Sequence, residues 1–153
     1  MSNESKLGPN AVWLFAFATL GLAIAVTYVL PHITMAVTPK AMAGVYFAVF
    51  GAGATAAVFL SRASVWRSVG AFALAGSGIG IFYYLAIIRP LAAAATEGFG
   101  SGVSSAGATI GGMVGLFYGV GFAIDALAAG IAGSLFGAKL RNNAGGGLLV
   151  QKR

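Results

Sequence analysis

Residues 110–137 read IGGMVGLFYGVGFAIDALAAGIAGSLFG. The run is apolar from end to end, contains no proline and holds a single charged side chain, Asp125. A helix needs about 20 residues to cross the hydrocarbon of a bilayer, so this segment is long enough. Barrel strands alternate in polarity over about ten residues, and this run does not alternate. In hydrocarbon each backbone N–H and C=O must be satisfied inside its own segment, which selects the helix.

The rest of the chain repeats this pattern. Charges at Lys6, Lys40, Arg62, Arg67, Arg89, Lys139 and Arg141 cut the sequence into four apolar spans, at about 11–37, 41–60, 69–88 and 110–137. The 153 residues carry 8% charged side chains, 24 glycines and a mean hydropathy of +0.91. Counting glycine and leaving out tyrosine, the apolar share is roughly 72%, against about 45–50% in globular proteins. The composition excludes a soluble enzyme and implies an all-α integral membrane bundle of four transmembrane helices, forming one domain over 1–153. With no cysteine there is no disulfide, thiolate nucleophile or Cys-based metal site. The net charge of +6 does not imply a nucleic-acid partner, because the basic residues sit at helix ends and not along one face.

The first span follows Lys6 and precedes Ala41-Met42-Ala43, which resembles a small-residue cleavage site. It is longer than the 7–15-residue apolar core of a signal peptide, so a retained helix is expected. Pro31 should bend its last turns or end them early. Thr38-Pro39-Lys40 is expected as a tight outer turn, and Ser61-Arg62-Ala63-Ser64 as a short inner turn making spans two and three antiparallel neighbours. Arg89 should end span three, because the residue before a proline is pushed out of the helical region. Residues 91–109, built of Ala, Gly and Ser around Glu97, suggest a short outer helix over 91–96 followed by a flexible loop, or a re-entrant segment. Residues 142–153 read as a flexible inner tail with a Gly/Asn hinge at 142–147.

Orientation follows from the basic residues. With the N-terminus inside, Lys6, Arg62, Arg67, Lys139, Arg141, Lys152 and Arg153 lie on the inner side, against Lys40 and Arg89 outside. That bias places both termini on the cytoplasmic or equivalent side. Trp13, Phe59, Trp66 and Phe136 then fall at the inner interface, and Tyr28, Tyr46, Tyr83 and Tyr84 toward the outer one, where amphipathic rings are favoured.

Small residues recur at four-residue spacing, which puts them on one helix stripe where two backbones can approach closely. Span four has Gly111, Gly115, Gly119 and Ala123, then Ala129, Gly133 and Gly137. Span two has Gly44, Ala48, Ala52 and Ala56, and span three has Gly76 and Gly80. Such stripes serve either packing within one bundle or docking onto other subunits or copies.

Few residues can carry chemistry. Asp125 is the only carboxylate within a span, and membrane carboxylates face protein interiors and mark ion pathways. Tyr118 shares its face, with Ala129, and Thr19 and Thr55 are candidate partners at similar depth. Asp125 therefore reads as a proton or cation site or as a polar link to a neighbouring helix, and no basic residue of the chain lies at its depth. His32, near Met35, reads as a boundary residue, since a metal or haem site needs further ligands. Arg62, Arg67, Lys139 and Arg141 read as topology determinants or contacts to lipid headgroups. Gly76-Ser77-Gly78-Ile79-Gly80 lies inside an apolar span without the strand and Lys-Ser/Thr of a phosphate loop. No nucleophile–base pair is available, so no enzyme activity and no cofactor of its own are expected.

In outline, with four glycine-rich spans and one membrane carboxylate on the last of them, the chain resembles the duplicated proteolipids of rotary ATPase rings. Those pack their glycine ladders into the first and third helices, whereas here spans two and four hold the long ones. Small-residue four-span subunits of the mitochondrial import-channel type are similar in architecture, without a shared motif. The residues themselves assign no family. The expectation is an accessory or structural subunit of a multi-subunit, energy-transducing membrane complex, with membrane subunits and bound lipids as partners. A small oligomeric proton- or cation-conducting protein using Asp125 is the alternative. A membrane protein of a virus particle shares the architecture.

Overall fold

A computed structural model of the chain describes residues 8, 10–33, 38–61, 63–96 and 101–150, with side chains at 10–29, 38, 40–61, 63–90, 93–94, 107 and 109–144. The described residues form helices and no strands: α1 (Ala11–Ile33), α2 (Pro39–Ser61), α3 (Val65–Tyr83), a π-helical turn (Tyr84–Ile88), α4 (Arg89–Thr96) and α5 (Ser101–Val150). Four segments are long and apolar enough to cross a membrane: Ala11–Val29, Lys40–Ser61, Val65–Ile88 and Thr109–Ala144.

The helix starts are set by local chemistry. The carbonyl of Asn10 accepts the Trp13 N–H at 3.1 Å and opens α1. Thr38 caps α2, its hydroxyl oxygen accepting the Ala41 N–H at 3.3 Å, and Pro39 takes the first helical position, where a missing N–H is harmless. The expected tight turn at 38–40 is thus the cap and first turn of a helix. Ser64, in extended conformation, caps α3 through the Arg67 N–H. The turn between α2 and α3 falls where the sequence suggests; there Ser61 Oγ donates to the Ala57 carbonyl and accepts the Ala63 N–H.

The apolar span ends at Ile88, just before Arg89, but the helical backbone does not stop there. Arg89 is right-handed helical, with φ −62° and ψ −48°, and its N–H donates five residues back to the Tyr84 carbonyl. The ring of a proline clashes with the carbonyl four residues earlier and supplies no N–H. A π turn just before Pro90 widens the helix there, and Pro90 then stands in the opening turn of α4, so α3, the π turn and α4 form a continuous rod.

α5 is also longer than expected. At 1.5 Å per residue its 50 residues span about 75 Å, more than twice the roughly 30 Å of bilayer hydrocarbon. It begins at Ser101, inside the stretch expected as a loop or re-entrant segment, and continues through 142–147, expected as a hinge. No proline follows Pro90 to stop it, and α4 packs against it and offsets the roughly 1 kcal/mol that each glycine costs in a helix. Glu97 and residues 151–153 lie outside the described residues, as do the side chains of His32, Met35 and Arg62.

Residue pairings give the topology. Thr27 meets Tyr46, and an added Cβ on Gly53 would meet Thr19, so α1 and α2 run antiparallel. Gly76 faces Ala126, Gly130 faces Phe72 and Ser68 meets Ser134, so α3 and α5 are antiparallel as well. α1 packs on α2 and α3 from one side and α5 packs on both from the other; among the described residues α1 and α5 do not touch, and α2 and α3 meet only sparsely despite their short turn. The bundle is a four-cornered array with α1 and α5 on opposite corners.

The core holds an aromatic knot. Phe122 of α5 stands edge-on to Tyr46 of α2 at 5.0 Å and to Tyr83 of α3 at 4.8 Å. Tyr46, expected at the membrane boundary, is fully buried, and its hydroxyl shares a 2.6 Å hydrogen bond with Thr27. A buried tyrosine needs a partner for its polar tip, and α1 supplies one. Trp66, by contrast, is 82% exposed, as a boundary ring would be.

Candidate functional site

The small-residue stripes divide into two kinds. Those of α3 and α5 face inward. A Cβ added to Gly80 would strike the Gly119 carbonyl oxygen, one on Gly133 the Gly51 carbonyl oxygen, and one on Gly115 the Tyr84 ring. A Cβ on Gly137 would lie 2.6 Å from the Thr55 carbonyl oxygen, and one on Gly76 2.5 Å from the Ala126 Cβ. Ala129 is fully buried, Ala123 brings its carbonyl to the same contact as Gly76, and Gly111 is half-buried. These backbones meet without intervening side chains because any side chain would part them. Thr55 lies in the seam, its hydroxyl 2.8 Å from the Gly51 carbonyl oxygen and 3.0 Å from that of Gly133.

The stripe on α2 faces the other way. Gly44, Ala48 and Ala52 are exposed and Ala56 is half-buried, and a Cβ built on Gly44 meets nothing within 4 Å. The residues of α2 that pack on its neighbours are instead Tyr46, Phe50, Ala54, Ala57 and Val58, with Gly51 and Gly53 at the closest approaches. A four-residue ladder and the buried face of the same helix are therefore different surfaces.

Asp125 lines an open groove of about 450 Å³ between α2 and α5, walled by Phe117, Tyr118, Phe122 and Ala128 of α5 and by Lys40 and Ala43 of α2. Tyr118 and Asp125 share this groove as their spacing predicts, whereas Ala129 turns inward against Gly51. The Oδ2 atom of Asp125 is buried and has no hydrogen-bond partner among the described residues. Thr19 and Thr55, expected as its partners, give their hydroxyl hydrogens to backbone carbonyls within their own helices or across the α2–α5 seam. A threonine one turn from a carbonyl in its own helix has a partner already in place. Lys40 lines the same groove from the first turn of α2.

Two of the basic residues near one end of the bundle make contacts within the fold. Arg141 of α5 donates from Nη1 to the carbonyls of Val58 and Ala63, each at 3.3 Å. It thereby fastens the end of α2 and the α2–α3 turn to α5, with a cation where the helix dipole is negative. Arg67 donates from Nη2 to Asn10 Oδ1 at 2.6 Å and ties the start of α3 to the start of α1. Lys139 is exposed. Sequence reasoning missed the Arg141 clamp, because only the fold brings residues 58, 63 and 141 together. A second groove, of about 310 Å³, runs along α3 and α5 past Ser77, Gly80, Tyr84, Gly115 and Gly119. No three His, Cys, Asp or Glu side chains gather among the described residues. Comparison with family models, curated proteins and solved structures finds no match for this chain.

Proposed function

We propose that this chain is an accessory or structural subunit of a multi-subunit membrane complex and that its work is docking, not catalysis. Its four long helices cross the bilayer with both termini on the cytoplasmic or equivalent side, where Arg67, Lys139 and Arg141 gather, and α4 stands on the outer side. The observation that carries this reading is the uncovered α2 stripe of Gly44, Ala48 and Ala52. Lipid tails are as apolar as leucine, so helices associate through close packing, for which smooth faces are best suited. The inward stripes are used within the bundle; the exposed α2 residues have no neighbour among the described residues and are free for a helix of another subunit. Lipids fill the remaining surface. Ala48→Leu tests this: the variant should fold as the parent does and be lost from the complex isolated in mild detergent. Its retention at full occupancy would refute the docking role.

A second reading rests on the unpartnered Asp125 oxygen. As a proton or cation site in a small oligomeric conductor, Asp125 would be indispensable to flux, and Asp125→Asn in reconstituted vesicles would abolish it. In a docking subunit the same variant leaves the activity of the parent complex unchanged.

A further inference from the structure

The Asp125 groove and the outer ridge of α3 match in height and in chemistry. Gly76 packs against Ala126 and Phe72 faces Gly130, so Ser77 stands at the level of Asp125 along the bundle, on the opposite flank of α5. Ser77 is exposed and centres a ridge formed by Gly70, Leu74, Ser77, Ile81 and Leu85, all exposed and all on one helical stripe. Its hydroxyl donates to the Ala73 carbonyl at 3.0 Å and keeps its lone pairs outward.

Copies inserted into one membrane share one orientation. Across an interface between them, only groups of equal height meet. Ser77 and Asp125 satisfy that condition, whereas Lys40, in the first turn of α2, stands toward the end of the groove. The geometry points to a second copy of this chain as the occupant of the α2–α5 groove, seating its α3 ridge there with Ser77 hydrogen-bonded to Asp125. A carboxyl O–H can donate to the Ser77 oxygen, or the serine hydrogen can turn to a carboxylate, so the contact can form in either state of the acid. Ridge and groove are different surfaces, so the contact is heterologous and repeats head to tail until a ring closes. This inference does not depend on the docking role proposed for the α2 stripe.

The chain has no cysteine, which makes the test direct. Leu74→Cys and Ala128→Cys, at matched heights on ridge and groove, are made separately with different tags and co-expressed as full-length protein. Oxidation in the membrane should give a disulfide dimer carrying both tags, with little dimer from either variant alone. Adding Ser77→Ala or Asp125→Ala should lower the yield about 3- to 15-fold, the range expected from interhelical hydrogen bonds, and Asp125→Asn, whose amide can donate to serine, should restore it. Equal cross-linking by Ala128→Cys alone would show a symmetric contact and overturn the proposal. So would absence of any mixed dimer from variants whose helical content matches the parent, or a mixed dimer indifferent to Ser77→Ala and Asp125→Ala.

Discussion

Two ladders of small residues, written in the same four-residue rhythm, have opposite fates in this fold. On α5, Gly115, Gly119, Gly133 and Gly137 face inward and bring backbone or aromatic ring within reach of an absent Cβ. On α2, Gly44, Ala48 and Ala52 are exposed, and a Cβ on Gly44 would meet nothing within 4 Å. Spacing alone places residues on one stripe of a helix; the direction of that stripe is decided by the neighbours. α2 packs on α1 and α5 as α5 packs on α2 and α3, but the α2 residues turned toward those neighbours are Tyr46, Phe50, Ala54 and Val58 and not its ladder.

The sharpest way to break this contrast is to enlarge one residue in each ladder. Gly133→Leu should abolish recovery of monodisperse protein, because even a Cβ there strikes the Gly51 carbonyl, while Ala48→Leu should leave the melting profile unchanged. A milder pair measures the same difference. Gly133→Ala should destabilise by about 1–3 kcal/mol through overpacking, and Gly44→Ala should be neutral or stabilise by up to about 1 kcal/mol through helix propensity. Reversible unfolding in mixed detergent micelles would read both. Equal effects at the two sites would remove the distinction between the ladders.

Next in size is Arg141→Ala, which leaves the Val58 and Ala63 carbonyls without their charged donor and should lower stability by about 1.5–3 kcal/mol. Arg141→Lys should recover only part of this, since both carbonyls are held by Nη1 and the lysine ammonium ends one bond short of that atom. If Arg141 served only orientation, lysine would replace it fully. The smallest effect is expected at the α1–α2 contact. Tyr46→Phe should lose about 0.6 kcal/mol, and combining it with Thr27→Val should add less than the sum of the two single changes. Additivity would mean that the 2.6 Å hydrogen bond contributes nothing to α1 docking.

The four long apolar helices and the α2–α3 turn were legible because continuous apolarity and charge punctuation are local signals. Proline was the misleading one: Pro39 begins a helix behind the Thr38 cap, and Pro90 is absorbed behind a π turn, because the hydrogen-bonding register of a helix can widen by one residue to accommodate a ring. Glycine misled in the other direction, since the Gly/Ser-rich start of α5 folds as helix beside α4. Of the candidate site, the sharing of one groove by Tyr118 and Asp125 could be read from a seven-residue spacing. The presence of Lys40 in that groove and the Arg141 clamp could not, because both depend on how α2 lies along α5. That Asp125 Oδ2 has no partner among the described residues was likewise invisible, since Thr19 and Thr55 already serve backbone carbonyls.

The outward ladder is tested most directly by a nitroxide attached at Ala52→Cys, read for collisions with oxygen dissolved in the bilayer. In the chain reconstituted alone, the label should be as accessible as one facing lipid. In the assembly extracted from its native membrane, accessibility should fall to the level of a label in a protein interior. High accessibility in both settings, or burial already in the isolated chain, would contradict the account.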